Sequence, residues 1–144
     1  MEQTRIQALA NYLEVEAEEI TEGYYDKGCS CGGAEYLVLT DEEANDRAAE
    51  EVKNSLWAFR ASFIIEHCKN YEEMTTDEYN SAVESLEEAQ SRCCESANGL
   101  VKALIDDMDE FVEDAINADG RGHFLAQYDG NENEQDDFYI YRVG

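Results

Sequence analysis

The sequence lacks proline and is poor in basic residues. None of its 144 residues is proline, and it has 10 Lys and Arg against 35 Asp and Glu, a formal net charge of -25 at pH 7. Because proline breaks helix interiors, its absence favours a mostly helical protein. The scarcity of positive charge excludes direct binding to nucleic acid or to an anionic membrane surface, since both would repel the chain.

We also expect no segment for membrane insertion or export. No apolar run reaches the roughly 20 residues that span a bilayer, and no apolar stretch of signal-peptide length follows Met1–Arg5. The cysteines are odd in number, and the pairs Cys29/Cys31 and Cys93/Cys94 are too close in sequence to be ordinary disulfide partners. We therefore expect a soluble, intracellular protein with reduced thiols.

The composition is nevertheless sufficient for a hydrophobic core. Hydrophobic residues make up 43% of the chain and aromatic residues 10%, whereas disordered acidic chains are poor in both. The length fits one domain. We predict a helix-rich α+β fold with a small antiparallel sheet, forming a single acidic domain over residues 1–144.

Local sequence signals predict the helices. Thr40–Glu43 and Thr75–Glu78 are capping boxes, in which a hydroxyl and a carboxylate each bond a backbone N–H of the other residue. The helix that begins at the first box is expected to run to about Phe59. Apolar residues at helical spacing predict further helices over residues 4–13 and 97–118.

Two short segments rich in β-branched and aromatic residues, Glu35–Thr40 and Phe138–Val143, predict strands that pair with each other. An unpaired edge on the second would permit a homodimer through strand pairing. Glycines predict loops at Lys27–Gly33 and Gly120–His123, and Phe124–Tyr128 is expected to be extended.

The candidate binding residues are acidic side chains that recur at three- and four-residue spacing near the C-terminal part of the chain. They are Asp106, Asp107, Asp109, Glu110, Glu113 and Asp114. Neighbouring side chains on one helix face are about 5–6 Å apart, and phosphates in a DNA strand follow each other about every 3.4 Å. Such a face can imitate the edge of a nucleic acid. The alternative is a solvated face that keeps the protein soluble.

A zinc site is the alternative use of the cysteines. A tetrahedral set of ligands would consist of Cys29 and Cys31, one of Cys68 and His67, and one of Cys93 and Cys94. Their spacings are not the paired CxxC type of structural zinc sites, so we expect free thiols, no metal and no cofactor. The predicted loop would expose Cys29 and Cys31, whereas the other three thiols are expected to be at least partly buried.

Catalytic motifs are not recognisable. His67 and His123 are the only histidines, no Ser or Cys has the surroundings of a nucleophile, and no Gly-rich phosphate loop is present. We expect no catalytic residue. A small hydrolase that uses His123 remains an alternative.

Several stretches resemble small acidic proteins encoded by bacteriophages and mobile elements. They are Glu35–Ala44, which leads to Ser55–Phe59, and Asp119–Ala126, which leads to Tyr128–Gly130 and Tyr139–Arg142. The likeness covers about two-thirds of the chain and leaves out Cys29–Gly33 and residues 68–96. Such proteins neighbour, and in some cases are, inhibitors of host defence, including anti-CRISPR and anti-restriction proteins. The resemblance implies a context and assigns no residue a role.

Charge and resemblance together lead to a functional hypothesis. The chain would be a non-enzymatic, phage-encoded inhibitor in the host cytoplasm that covers the basic DNA-binding surface of a defence complex, such as a CRISPR effector. The alternative is an accessory protein that regulates a host or phage enzyme through a specific interface, without imitating DNA.

The charge also predicts how stability depends on pH and salt. Repulsion among ionised carboxylates opposes folding, and protonation of some of them relieves it. We expect the melting temperature to rise slightly from about pH 8 to about pH 5, and to fall only when carboxylates in caps and ion pairs are protonated. Adding about 0.3 M salt should act in the same direction by screening. A steady drop over that pH range in thermal melts would contradict this prediction.

Overall fold

The protein is helix-rich, with a small sheet. The computed structural model describes residues 3–144, 60% of the chain is helical, and the sheet has five antiparallel strands, which confirms the predicted α+β class. Contacts divide the chain into two compact units, the first formed by the described residues up to Glu51 together with Ile116–Gly144, and the second by Val52–Ala115. The single domain over residues 1–144 stays a prediction. Within the described part of the chain, no helix combines the length and the apolarity needed to cross a membrane.

The helices are α1 (Gln3–Leu13), α2 (Asp41–Asn54), α3 (Ala61–Ile65), α4 (Thr76–Cys93), α5 (Asn98–Leu104), α6 (Met108–Asp119) and α7 (Arg121–Leu125). The strands are β1 (Thr21–Glu22), β2 (Gly28–Cys31), β3 (Ala34–Leu39), β4 (Asn133–Gln135) and β5 (Phe138–Arg142). Short 3₁₀ turns lie at Ala17–Glu19, Leu56–Ala58, Tyr71–Glu73 and Cys94–Ala97.

The sheet of the first unit has the strand order β1-β2-β3-β5-β4. The predicted pairing of the two strongest strands is confirmed, with Val38 opposite Ile140. Because β4 also pairs with β5, the prediction of an unpaired edge at Phe138–Val143 is wrong, and so is the route that it offered to a homodimer. The partner strand Asn133–Gln135 is polar throughout, so its sequence carries no strand signal.

Helices cover both faces of this sheet. Leu9 of α1 packs with Cys29, Val38 and Ile140 on one face. Ala44 and Ala48 of α2 pack with Leu37, Leu39, Leu125 and Tyr141 on the other. Successive residues of β3 therefore point into different cores, as the two-residue period of a strand requires.

A charged cluster connects α1, β3 and α2 inside the first unit. Arg5, only 6% exposed, donates to the carbonyl oxygen of Val38 at 2.7 Å and to both carboxylate oxygens of Glu43 at 2.6 and 2.8 Å. Glu43 also accepts from the backbone N–H of Thr40, as the predicted capping box requires, and lies 2.8 Å from Lys27 Nζ. The hydrogen bonds from Arg5 hold the pKa of Glu43 well below its usual range. The cluster therefore stabilises the fold at neutral pH, and this contribution is lost only in strong acid.

The second unit corrects two helix predictions. The expected helix over residues 97–118 is divided into α5 and α6, because Ile105 adopts an extended conformation and forms a β-bridge with Cys68. Leu100, whose spacing in the predicted helix 97–118 placed it on the core face, is 46% exposed. The helix from Thr40 ends at Asn54 and not near Phe59.

The Asn98 side chain accounts for that earlier end. Its amide nitrogen donates to the Asn54 carbonyl at 2.8 Å, and its oxygen accepts from the Trp57 backbone N–H at 2.8 Å. These bonds satisfy backbone groups that a continuing helix would otherwise use. Elsewhere in the unit, the Thr75–Glu78 capping box is confirmed.

Both predicted glycine loops are wrong in part. Gly28–Cys31 forms β2, and the turn to β3 is confined to Gly32 and Gly33, both at positive φ. After Gly120, Arg121–Leu125 forms α7, so the extension predicted from Phe124 does not begin there. Position 122 requires glycine, because a Cβ there would lie 2.5 Å from the carbonyl oxygen of Gly130.

The predicted thiol exposures are wrong for Cys29, Cys93 and Cys94, whereas Cys68 is partly buried as predicted. Cys29 is fully buried, Cys31 and Cys68 are half-buried, and Cys93 and Cys94 are exposed. Burial also raises the pKa of the Cys29 and Cys68 thiols.

A thiol reagent should therefore label Cys93 and Cys94 first in the native protein. Cys29 should react at least about 10-fold more slowly, because a buried thiol is reached only through local opening. Mass spectrometry of peptides after timed quenching would measure the order. A fast phase that survives in the Cys93→Ser/Cys94→Ser variant would contradict this assignment.

Candidate acidic interface

The six predicted binding residues lie together at the surface of the second unit. Asp106 and Asp107 belong to the segment between α5 and α6, and the other four lie on α6. All six are exposed. They form a short acidic segment, residues 106–114, made of a turn followed by a helix face. This differs from the continuous helix face that the sequence predicted.

Two of these residues make hydrogen bonds that stabilise the second unit. Asp107 Oδ1 accepts from the backbone N–H of Glu110 at 3.1 Å, which caps the start of α6. The backbone N–H of Asp106 donates to the carbonyl oxygen of His67 at 3.0 Å. Asp109 and Glu113 are exposed on α6 and lie outside the group formed by His67, Glu110 and Asp114.

The second unit carries another acidic helix surface that the sequence analysis did not single out. On α4, Glu84, Glu87 and Glu88 are exposed and repeat the three- and four-residue spacing. Glu88 forms an i,i+4 ion pair with Arg92, at 3.0 Å. This spacing is visible in the sequence, so the criterion that identified the acidic residues of α6 also identifies those of α4.

The basic side chains of the first unit contact groups of the same unit, although Lys27 keeps 42% of its side chain exposed. Arg5 and Lys27 bind Glu43, and Arg47 donates to the carbonyl oxygen of Asp26 at 2.8 Å. The Arg142 guanidinium lies 3.7 Å from the centre of the Tyr128 ring. The fifth, Arg121, has only 11% of its side chain exposed. Each of the five cations therefore has a contact within this unit.

Arg121 organises the contacts of α7. It donates to Glu132 and Asp41 at 2.8 Å each and to Asn45 at 3.0 Å. Burial lowers the pKa of Arg121, but the hydrogen bonds to Glu132 and Asp41 outweigh it and raise the pKa overall. The hydroxyl of Tyr141 donates to the same Glu132, and burial together with this carboxylate raises the pKa of Tyr141. This network holds α7 by charge-assisted bonds and is structural.

His123 is exposed on α7, and its ring packs against Phe124 with centres 4.9 Å apart. His67 lies beside two carboxylates. Its Nε2 lies 3.2 Å from Asp114 Oδ2, and Glu110 completes a group whose ligating atoms all lie within 4.8 Å of one another. Within residues 3–144, no cysteine belongs to a group of three such ligands. The cysteine-based zinc set is therefore not assembled, and Cys29 in particular lies among apolar side chains.

Comparison with protein-family models, curated proteins and solved structures finds no significant match to this chain. The likeness to phage-encoded acidic proteins therefore stays a prediction, and the functional argument depends on the residues themselves.

The cap at Asp107 can be separated from its charge. Asp107→Ala should lower the free energy of unfolding by about 1 kcal/mol, because the Glu110 N–H loses its acceptor. Asp106→Ala removes the same charge from the neighbouring residue and should leave stability almost unchanged. Urea unfolding of both variants would measure the difference, and equal losses would show that Asp107 does not act as a cap.

Proposed function

We propose that this protein is a non-enzymatic inhibitor of a host nucleic-acid-targeting defence complex, and that it covers a basic DNA-binding surface of that complex. The observation that carries the proposal is the exposed acidic segment 106–114 in a chain with a net charge of -25. A CRISPR effector is the proposed target class, because the resemblance to phage proteins suggests an anti-defence role. The partner is a basic protein surface and not nucleic acid itself.

The electrostatics favour a partner that normally holds phosphates. A groove lined with Arg and Lys binds DNA largely through phosphate neutralisation and counterion release. Carboxylates on α6, about 5–6 Å apart, present negative charge at a comparable density. In the first unit, Arg5, Lys27 and Arg121 are paired with carboxylates of the same unit. Association should therefore be fast at low salt and should slow steeply as salt increases.

A second candidate is supported by a different surface feature. Tyr24 is 87% exposed, Tyr25 is 42% exposed, and their rings contact edge to face with centres 5.2 Å apart. Exposed tyrosines are common hot spots of specific interfaces. This favours the accessory protein that regulates an enzyme through shape and aromatic contacts.

The decisive experiment begins with capture of the target from a bacterial lysate and continues with competition by DNA. A captured effector whose DNA binding is blocked in proportion to the amount of inhibitor would support the proposal. Capture of metabolic enzymes alone would overturn it.

Matched variants then locate the contact. Asp109→Asn/Glu113→Gln should slow association by roughly 10-fold at low salt, because it neutralises two charges at the interface. Glu18→Gln/Glu22→Gln removes the same charge from exposed positions of the first unit and should have a much smaller effect. If both pairs have little effect and Tyr24→Ala abolishes binding, the specific-interface alternative is correct.

A further inference from the structure

We propose that His67, Glu110 and Asp114 form a binding site for one divalent transition-metal ion of the zinc type. The site lies wholly within the second unit, between the segment that follows α3 and one side of α6. It is distinct from the cysteine set considered above.

The distances fit one small cation. His67 Nε2 and Asp114 Oδ2 are 3.2 Å apart, and the ligating atoms of all three residues lie within 4.8 Å of one another. Ligands around a tetrahedral zinc ion, with bonds of about 2.1 Å, are about 3.4 Å apart. The pair is therefore already at ligand spacing, and small rotations of the exposed Glu110 side chain bring in the third atom.

The histidine is held in position before any ion binds. The backbone N–H of His67 donates to the Ile64 carbonyl at 3.0 Å, and its carbonyl oxygen accepts from Asp106 N–H at 3.0 Å. Its ring packs against the rings of Phe63 and Phe111, with centres 5.0 and 5.1 Å away. Only 12% of the side chain is exposed. This packing fixes the plane of the ring and the direction of Nε2.

Phe111 also sets the position of the carboxylates of Glu110 and Asp114. Phe111 is fully buried and turns one side of α6 toward His67. Glu110 precedes it by one residue, and Asp114 follows by three. These two carboxylates are a like-charge i,i+4 pair, which destabilises a helix unless a cation lies between them. An ion shared by all three residues would remove this repulsion.

The donor set selects the class of ion. One imidazole nitrogen with two carboxylate oxygens suits zinc and its first-row neighbours, whereas calcium and magnesium take oxygen ligands only. His67 and Glu110 also line an open cleft of about 300 Å³, shared with Cys68 and Tyr71, which gives an ion access from solvent. Three protein ligands leave the fourth position for water.

Titration calorimetry with zinc chloride alone tests the site in the full-length protein. All proteins carry Cys93→Ser/Cys94→Ser, because thiolates are zinc ligands and these two exposed thiols would compete for the added ion. We expect one zinc ion per chain. Glu110→Gln and Asp114→Asn should each weaken binding at least about 10-fold, the loss that even outer-shell changes cause. His67→Phe keeps an aromatic ring between Phe63 and Phe111 and should abolish binding, with circular dichroism confirming the fold.

Controls on the same helix separate this site from diffuse attraction to an acidic surface. Asp109→Asn and Glu113→Gln remove the same charge and should leave zinc affinity unchanged within about 2-fold, and excess magnesium should not displace zinc. Equal weakening by the control and ligand variants, or no zinc binding, would overturn the proposal. If His67→Phe does not fold, the comparison of the carboxylate variants decides. Because Asp109 and Glu113 carry the test of the proposed function, each proposal can fail without the other.

Discussion

Mutual repulsion of carboxylates is the force that the rest of this structure has to offset. Part of the solution is placement at helix N-termini, where the helix dipole favours negative charge. The first turns of α2, α4 and α6 all contain acidic residues. Glu43 and Glu78 have an additional role, because each closes a capping box. A carboxylate in such a position stabilises its own helix while it contributes to the net charge, so the sequence can be strongly acidic without losing its helices.

The scarce cations are used differently in the two units. In the first, Arg5 is buried and Arg121 is partly buried, and both bind carboxylates of α2 from distant parts of the chain, so they join α1 and α7 to α2. In the second, Arg92 is exposed and pairs within its own helix, which contributes little to stability. Aromatic packing around Phe111 fixes the second unit instead. The proposed metal site uses this packing, and it shares Glu110 and Asp114 with the acidic segment 106–114.

Features encoded by neighbouring residues were predictable from the sequence, and features that depend on distant residues were not. Both capping boxes and the strands around Val38 and Ile140 follow from local patterns, and the structure confirms them. The break at Ile105 depends on pairing with Cys68, which no local periodicity reveals.

The same distinction between neighbouring and distant residues applies to the candidate sites. The acidic segment 106–114 was recognisable because its residues are consecutive. The group that contains His67 was not recognisable, because α4 and α5 separate its two carboxylates from His67 in the sequence. Only the fold brings them together.

Pairing between distant strands also affects the chain during its synthesis. Domains tend to fold as units while the chain emerges from the ribosome, yet β3 acquires its neighbour β5 only when Phe138–Arg142 has been translated. One edge of β3 therefore stays open while the whole second unit is made, and during that interval the nascent chain is most exposed to pairing with the wrong strand.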